Sequence, residues 1–249
     1  MIAAYHKMAI PLILLSGLLS VNFCSGQGSL NDSTSNPSDT SFAVNQYYSS
    51  IGENAHLYNG PEYLTYDKRI AGNPFFKTDS LTSGDIAYDG SHYFNIPMLY
   101  DIIYDEVVIN RYQQNFRISL LREKMKGFTF LNHTFYRMEK DSLHGVLLSP
   151  GFYDQLYQGK ITVLAKRKKK ILEKIEYTMN TISYLADDHF YINRNNTYFE
   201  VTNKASLLKV FSNKKKEIRK FLRKHKLKFK TDQEKAILQS AAYYDQLSS

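Results

Sequence analysis

The feature that most constrains the fold is a long succession of short aromatic and β-branched segments separated by turn residues, from about residue 42 to residue 203. Tyr, Phe, Ile, Val and Thr are frequent there, and Gly, Pro, Asn and Asp recur between the segments. No helical segments of crossover length alternate with the predicted strands, so the strands should pair antiparallel. The sequence therefore predicts an antiparallel β-domain over residues 42–203.

Local turn chemistry predicts individual hairpins within this domain. Asp89 and Gly90 tolerate the positive φ angles of a two-residue hairpin turn, and Asn195 with Asn196 predicts a last hairpin. Pro97 has no backbone N–H to donate, so it predicts an edge or a bulge within residues 93–100. The further predicted strands are residues 102–109, 116–121, 127–131, 134–138, 145–148, 160–165, 171–179, 190–193 and 198–201.

The C-terminal segment changes to helical periodicity. Residues 205–211 and 217–222 place apolar side chains three and four positions apart among lysines. Thr231 and Glu234 have the spacing of a capping box, which predicts that a further helix begins there and continues to about Tyr244. We therefore expect an α+β fold, in which a curved, mainly antiparallel β-sheet carries a basic helical segment, residues 204–249, packed on the same domain.

The amphipathic pattern of this tail has two interpretations. Its apolar stripe either docks on the protein's own sheet or lies on an anionic membrane. Docking is favoured because the chain has no Trp to anchor a membrane interface. The helix after Thr231 also offers a partner to pack beside the first.

The first residues have the layout of a secretory signal peptide. Lys7 precedes an apolar run over residues 8–21, and the small residues Cys24, Ser25 and Gly26 lie shortly after it. The run is shorter than the roughly 20 apolar residues of a membrane-spanning helix. We expect residues 1–26 to be a signal peptide cut before Gln27, residues 27–41 to be a flexible leader, and the mature chain to contain no transmembrane helix.

Cys24 is the only cysteine of the chain. Cleavage after Gly26 would remove it, so the mature protein would depend on a hydrophobic core without disulfides. An alternative is that Cys24 carries the lipid of a bacterial lipoprotein. Phe23 departs from the small residues that such signals place before the cysteine, so an incidental cysteine in the discarded peptide is favoured.

The charge is distributed unevenly along the chain. Residues 27–150 contain 10 Lys and Arg against 14 Asp and Glu, whereas residues 151–249 contain 21 against 10. Basic runs of this kind bind phosphate or carboxylate groups, and the alternative is that they are solvated faces of strands and helices. For an exported chain, lipid head groups and acidic glycans are better partners than nucleic acid. The candidate anion-binding residues are Lys166, Arg167, Lys168, Lys169, Lys170, Lys214, Lys215, Lys216, Arg223 and Lys224.

Motifs for other chemistry are weak. The cluster Asp187-Asp188-His189 has no second histidine nearby and no cysteine to complete a zinc site, so it is interpreted as a polar turn, and no metal site is predicted. Neither a Gly-x-Ser-x-Gly elbow nor a phosphate-binding glycine motif is present, and no cofactor is predicted. A Tyr-Asp dipeptide recurs at positions 66, 88, 100, 104, 153 and 244. It suits a sugar-binding platform, but a strand tyrosine followed by a turn-forming aspartate is favoured.

Residues 57–63, 72–76 and 88–93, together with the tail segments 206–209, 226–229 and 243–245, resemble uncharacterised exported proteins of Bacteroidota-type bacteria. The resemblance implies a signal peptide cut before a glutamine and a location in the periplasm or outer envelope of a Gram-negative cell. It supplies no catalytic residue or activity.

The sequence thus favours a non-enzymatic binding or structural protein of the envelope, with an anionic glycan or lipid head group as its partner. The alternative is a secreted hydrolase acting on glycans, because the two carboxylates of a glycosidase leave no local sequence signature.

Overall fold

A computed structural model describes residues 41–44, 46, 47, 50, 52, 55–139, 148–175 and 180–247. The predicted signal peptide, Cys24 and all but the last residue of the predicted leader lie outside the described residues. Most of the predicted strand 145–148 also lies outside them.

The fold is α+β and is built on a ten-stranded antiparallel sheet with the strand order β12-β11-β8-β7-β6-β5-β1-β2-β3-β4. The sheet is open, with β12 and β4 at its edges, and β9 and β10 form a separate hairpin between β8 and β11. The strands are β1 Thr82–Tyr88, β2 Ser91–Asp101, β3 Glu106–Asn110, β4 Arg117–Ser119, β5 Met125–Phe130, β6 His133–Met138, β7 Gly151–Gln158, β8 Thr162–Lys166, β9 Lys169–Ile175, β10 Asn180–Ala186, β11 His189–Arg194 and β12 Thr197–Glu200.

The two predicted hairpin turns are confirmed. Asp89 and Gly90 join β1 to β2 with φ angles of 50° and 79°, and Asn195 and Asn196 join β11 to β12 with φ angles of 53° and 57°. The irregularity predicted around Pro97 is a bulge two residues earlier, where Asn95 has a φ of 56° and the β1–β2 register shifts.

The first strand begins only at Thr82, although the β-domain was predicted from residue 42. The described residues before it form helical turns and loops with isolated bridges. Tyr63 and Phe75 in this part are buried, and they pack against Leu99 and Val108 of the sheet. The aromatic residues that suggested strands here therefore cover one face of the sheet instead of extending it.

The sheet is strongly curved. Tyr100 of β2 and Phe152 of β7 are four strands apart in the sheet order, which in a flat sheet would separate them by roughly 19 Å at about 4.8 Å per strand. Their ring centroids are 6.2 Å apart, and Phe128 contacts both rings. The curled sheet therefore encloses an aromatic core on its concave face.

Three helices follow the sheet: α1 Lys204–Val210, α2 Lys215–Lys224 and α3 Gln233–Leu247. Their apolar side chains form a second core with Val163 of β8 and Ile192 of β11. Ile218 and Leu222 of α2 are 0% and 2% exposed. The amphipathic tail is therefore docked on the protein's own sheet, as predicted.

The predicted capping box at Thr231 is wrong. The Thr231 backbone N–H donates to the carbonyl of Lys228, and the Glu234 carboxylate accepts a hydrogen bond from Arg167 instead of turning back to the helix start. A capping box is present at α1, where Asn203 Oδ1 accepts from the N–H groups of Ala205 and Ser206. Glu234, which the sequence pattern assigned to the cap, thus pairs with the buried side chain of Arg167 instead.

Candidate functional site

The structure divides the candidate anion-binding residues into an internal and an external group. Lys166 is internal: its side chain is 4% exposed, its Nζ donates to Asp105, and it lies 5.0 Å from the centroid of the Tyr153 ring. Burial lowers the pKa of Lys166, while the Asp105 carboxylate opposes that shift. Lys166 is therefore a partner of the fold and not of an external anion.

Arg167 is also internal. Its Nε and Nη2 donate to Asp154 Oδ2, and its Nη1 donates to Asp188 Oδ2 at 2.9 Å and to Glu234 Oε2 at 2.7 Å. Burial acts to lower the pKa of Arg167, but the hydrogen bond that Arg167 donates to Glu234 and the charges of the three carboxylates outweigh this effect, so the pKa of Arg167 is raised. The guanidinium is fixed and fully charged at a junction between the sheet and α3.

The other members of the run Lys166–Lys170 are engaged more loosely. Lys169 Nζ donates to the backbone carbonyls of Asn73 and Phe75, and Lys170 pairs with Asp187 at 2.9 Å. The side chain of Lys168 is exposed and has no hydrogen-bond or ion-pair partner among the described residues. This run therefore presents little free positive charge, because acidic residues from distant parts of the chain form ion pairs with most of its charged groups.

The external group lies on α2 and the connector to α3, and we call it the basic face. Between residues 204 and 230 the chain has twelve Lys and Arg residues and a single acidic residue, Glu217. Within the described part of the chain, no carboxylate lies within 4.0 Å of any of these twelve cations. The basic face consists of the half-buried Lys214 and the exposed residues Lys215, Lys216, Arg219, Lys220, Arg223, Lys224, Lys226, Lys228 and Lys230.

Packing of α2 fixes the orientation of this face. Ile218 and Leu222 are buried, and the Phe221 ring stacks on Tyr243 with centroids 4.3 Å apart. Residues four positions apart lie on one side of a helix, so Lys216, Lys220 and Lys224 form an exposed row. In the described chain from residue 204 onward, no large apolar side chain is exposed, so this surface offers charge without an apolar anchor.

The sequence prediction included only part of the basic face. It included Lys214–Lys216, Arg223 and Lys224 because they form uninterrupted runs, and it did not include Arg219, Lys220 or the lysines of the connector. The signal for Arg219 and Lys220 was available, since they occupy the helical positions between the apolar residues that dock on the sheet.

The acidic and tyrosine candidates have mostly structural roles. Asp188 accepts a hydrogen bond from Arg167, and Lys170 lowers the pKa of Asp187 by donating a hydrogen bond to it. Among the described residues, no group of three or more His, Cys, Asp or Glu side chains is arranged to hold a metal ion. Asp101 accepts hydrogen bonds from the backbone N–H groups of Ile103 and Tyr104 in the β2–β3 turn, as the favoured interpretation of the Tyr-Asp pairs predicted. Asp105 instead accepts from the Phe152 N–H of β7 and from Lys166, and Tyr244 with Asp245 lies in α3 and not in a strand.

Comparison with known proteins found no protein-family model, no curated protein and no solved structure that matches this chain. No helix in the described part of the chain has both the length and the apolarity required to cross a bilayer.

Proposed function

We propose that this protein is an exported envelope protein of a Gram-negative bacterium, and that it works as a non-enzymatic binding module holding an anionic component on its basic face. The partner is a lipid head group or an acidic glycan. The observation that supports the proposal is the contrast between the two basic segments. The run Lys166–Lys170 is largely neutralised by the protein's own carboxylates, whereas the basic face has no carboxylate partner among the described residues.

The physical basis of binding is electrostatic. A cation near an anionic membrane surface contributes about 1 kcal/mol, and salt screens the interaction over about 8 Å at physiological ionic strength. Because the apolar side of α2 is already docked on the sheet, the helix does not need to insert. Binding should therefore be reversible, strongly salt-dependent and confined to the surface of the partner.

Neutralisation of the exposed row tests this proposal. The triple variant K216Q/K220Q/K224Q removes three charges from the basic face without changing a buried residue. The control K126Q/K168Q/K235Q removes three exposed lysines outside the basic face and the groove residues described below, so both variants have the same net charge. Binding is measured by flotation with phosphatidylglycerol vesicles, with neutral phosphatidylcholine vesicles and, separately, with an acidic polysaccharide such as polygalacturonate.

We expect the parent protein and the control variant to bind at least one anionic probe, and to bind neutral vesicles weakly. The face variant should lose roughly 100-fold in affinity, since three cations contribute about 3 kcal/mol. Preference for vesicles or for polysaccharide identifies the source of the anionic groups. Absence of binding to both anionic probes, or equal loss in the two variants, would contradict the proposal.

The export part of the proposal has a separate test. The intact mass of the native protein should correspond to an N-terminus at Gln27, and the protein should fractionate with the periplasm or outer envelope. A diacylglyceryl group on Cys24 would support the envelope location, but it would show that the protein is a lipoprotein and is not cut before Gln27. A native protein that begins at Met1 in the cytoplasmic fraction would contradict export.

A further inference from the structure

A groove lined by tyrosines lies away from the basic face. The segment from Pro61 to Phe75 starts beside β4, where Glu62 bridges Ile118, and ends beside β2, where Phe75 bridges Asp101. Cavities of about 550 Å³ and 300 Å³ adjoin this segment and share Tyr63, Thr65, Tyr66 and Asp67 in their linings. We call the two cavities together the tyrosine groove.

An exposed aromatic platform forms part of the wall. Tyr104, in the β2–β3 turn, stacks on Tyr66 with ring centroids 5.1 Å apart and an angle of 17° between the rings. Tyr184 of β10 meets the edge of the Tyr66 ring at 5.9 Å. Tyr104 nevertheless remains 55% exposed. The platform is therefore supported from behind and open to a ligand in front.

A buried carboxylate holds the platform in place. Asp101 is 0% exposed, and its Oδ1 accepts hydrogen bonds from the backbone N–H groups of Ile103 and Tyr104. Its Oδ2 accepts the hydroxyl of Tyr63 at 2.8 Å. Burial and the nearby Asp101 charge raise the pKa of Tyr63, so this hydroxyl remains a donor at neutral pH. Because the turn and the groove wall are ordered before binding, a ligand does not have to order them.

The polar groups of the groove suit hydroxyls better than a net charge. The larger cavity is lined by the carboxylates of Glu62, Asp67 and Glu106, and the smaller one by Asp67 together with Lys68 and Arg117. The Glu106 carboxylate already accepts the hydroxyl of Ser119, which fixes its position. Acceptors and donors are thus distributed along an aromatic wall, and neither charge sign dominates both cavities.

We propose that the tyrosine groove binds a neutral oligosaccharide. The exposed face of Tyr104 packs against the C–H face of a pyranose ring, which carries partial positive charge toward the negative face of the aromatic ring. The carboxylates accept hydrogen bonds from the sugar hydroxyls. The two adjoining cavities, of about 550 Å³ and 300 Å³, have room for more than one sugar unit. This inference rests on the groove alone and is independent of the basic face.

The test is ligand-observed NMR and calorimetry with cellotriose, chitotriose and maltotriose. Tyr104→Ala removes the platform, Tyr104→Phe keeps the ring, and Tyr136→Ala is the matched control, since Tyr136 is a 46% exposed tyrosine on another part of the sheet. We expect at least one trisaccharide to bind the parent protein. The affinity should fall about tenfold in Tyr104→Ala and stay within about twofold of the parent in Tyr104→Phe and in the control.

Failure of all three sugars to bind would overturn the proposal, and so would an equal loss of affinity in Tyr104→Ala and Tyr136→Ala. Cleavage of a bound trisaccharide would support the groove as a glycan site but contradict the non-enzymatic function proposed above. Vesicle flotation of Tyr104→Ala separates the two sites, because this variant should bind anionic vesicles as the parent does.

Discussion

Arg167 donates to a single oxygen of Asp154 through two nitrogen atoms, with Nε at 2.8 Å and Nη2 at 2.7 Å from Oδ2. The carboxylate is fully buried, and His133 Nδ1 lies 2.8 Å from the same oxygen. Through Nη1 the guanidinium also reaches Asp188 and Glu234. One cation therefore links β7, the turn before β11 and α3, so the helical segment is held to the sheet by charge as well as by its apolar core.

Removal of this cation should destabilise the whole fold. Arg167→Met keeps much of the apolar stem but removes the guanidinium that donates twice to the buried Asp154 carboxylate, so that, among the described residues, His133 alone remains beside it. Breaking a buried ion pair from one side costs about 3–5 kcal/mol, and we expect a loss of that size in the free energy of unfolding, measured by urea denaturation.

The neighbouring residue supplies the control for this prediction. Lys168→Met removes the same charge from an exposed side chain and should change the free energy of unfolding by about 0.5 kcal/mol or less. Similar urea midpoints for the two variants would show that the Arg167 network does not stabilise the fold.

Part of the fold was predictable because its signals are local. The turn at Asp89-Gly90 and the turn at Asn195-Asn196 need only the positive φ that their own residues tolerate. The apolar spacing of α2 likewise predicts which of its side chains face the sheet, and Ile218 and Leu222 are buried as that spacing requires. In each case the residues that carry the signal also form the structure.

Which basic residues pair with carboxylates was not predictable in the same way. Lys166–Lys170 and Lys214–Lys216 look equivalent in the sequence, but Asp105 lies 61 residues from Lys166, and Glu234 lies 67 residues from Arg167. Only the folded chain brings these carboxylates to the first run and leaves the second without them. The same argument applies to the tyrosine groove, since Tyr66, Tyr104 and Tyr184 have no regular spacing along the chain.

The start of α1 provides a second prediction. Asn203→Ala removes the side chain that accepts from two backbone N–H groups at the start of the helix, and it should lower the free energy of unfolding by about 1 kcal/mol. Thr231→Ala is the comparison, because the sequence pattern predicted a cap there and the structure has none. Its loss in urea denaturation should be clearly smaller than that of Asn203→Ala. A larger loss of stability in Thr231→Ala than in Asn203→Ala would indicate that Thr231 does cap α3, and it would contradict the start of α3 described above.

The third prediction concerns alkaline pH. Among the described residues, nine tyrosines have a raised pKa, chiefly because burial disfavours the phenolate, and for Tyr191 the pKa rises to about 12. These tyrosines are Tyr58, Tyr63, Tyr66, Tyr88, Tyr100, Tyr153, Tyr157, Tyr184 and Tyr191. In the unfolded chain they lose their protons near the ordinary value of 10.0, before the folded protein does. Their contribution to stability is therefore fully present below about pH 10 and is lost as the pH rises through the folded values.

The buried Lys166 and the half-buried Lys169 act in the opposite direction. Burial lowers the pKa of Lys166 and of Lys169, so the stability that depends on these groups increases with pH up to the ordinary lysine value of 10.5. Because nine tyrosines lose stabilisation over this pH range and only two lysines gain it, we expect the urea midpoint to fall steeply between about pH 10 and pH 12. The absorbance of tyrosinate at about 295 nm should rise for part of the tyrosines only together with loss of the far-ultraviolet circular dichroism signal. If all tyrosines ionised in one step near pH 10 while the circular dichroism stayed native, the tyrosines would be accessible to solvent and the aromatic core described here would be wrong.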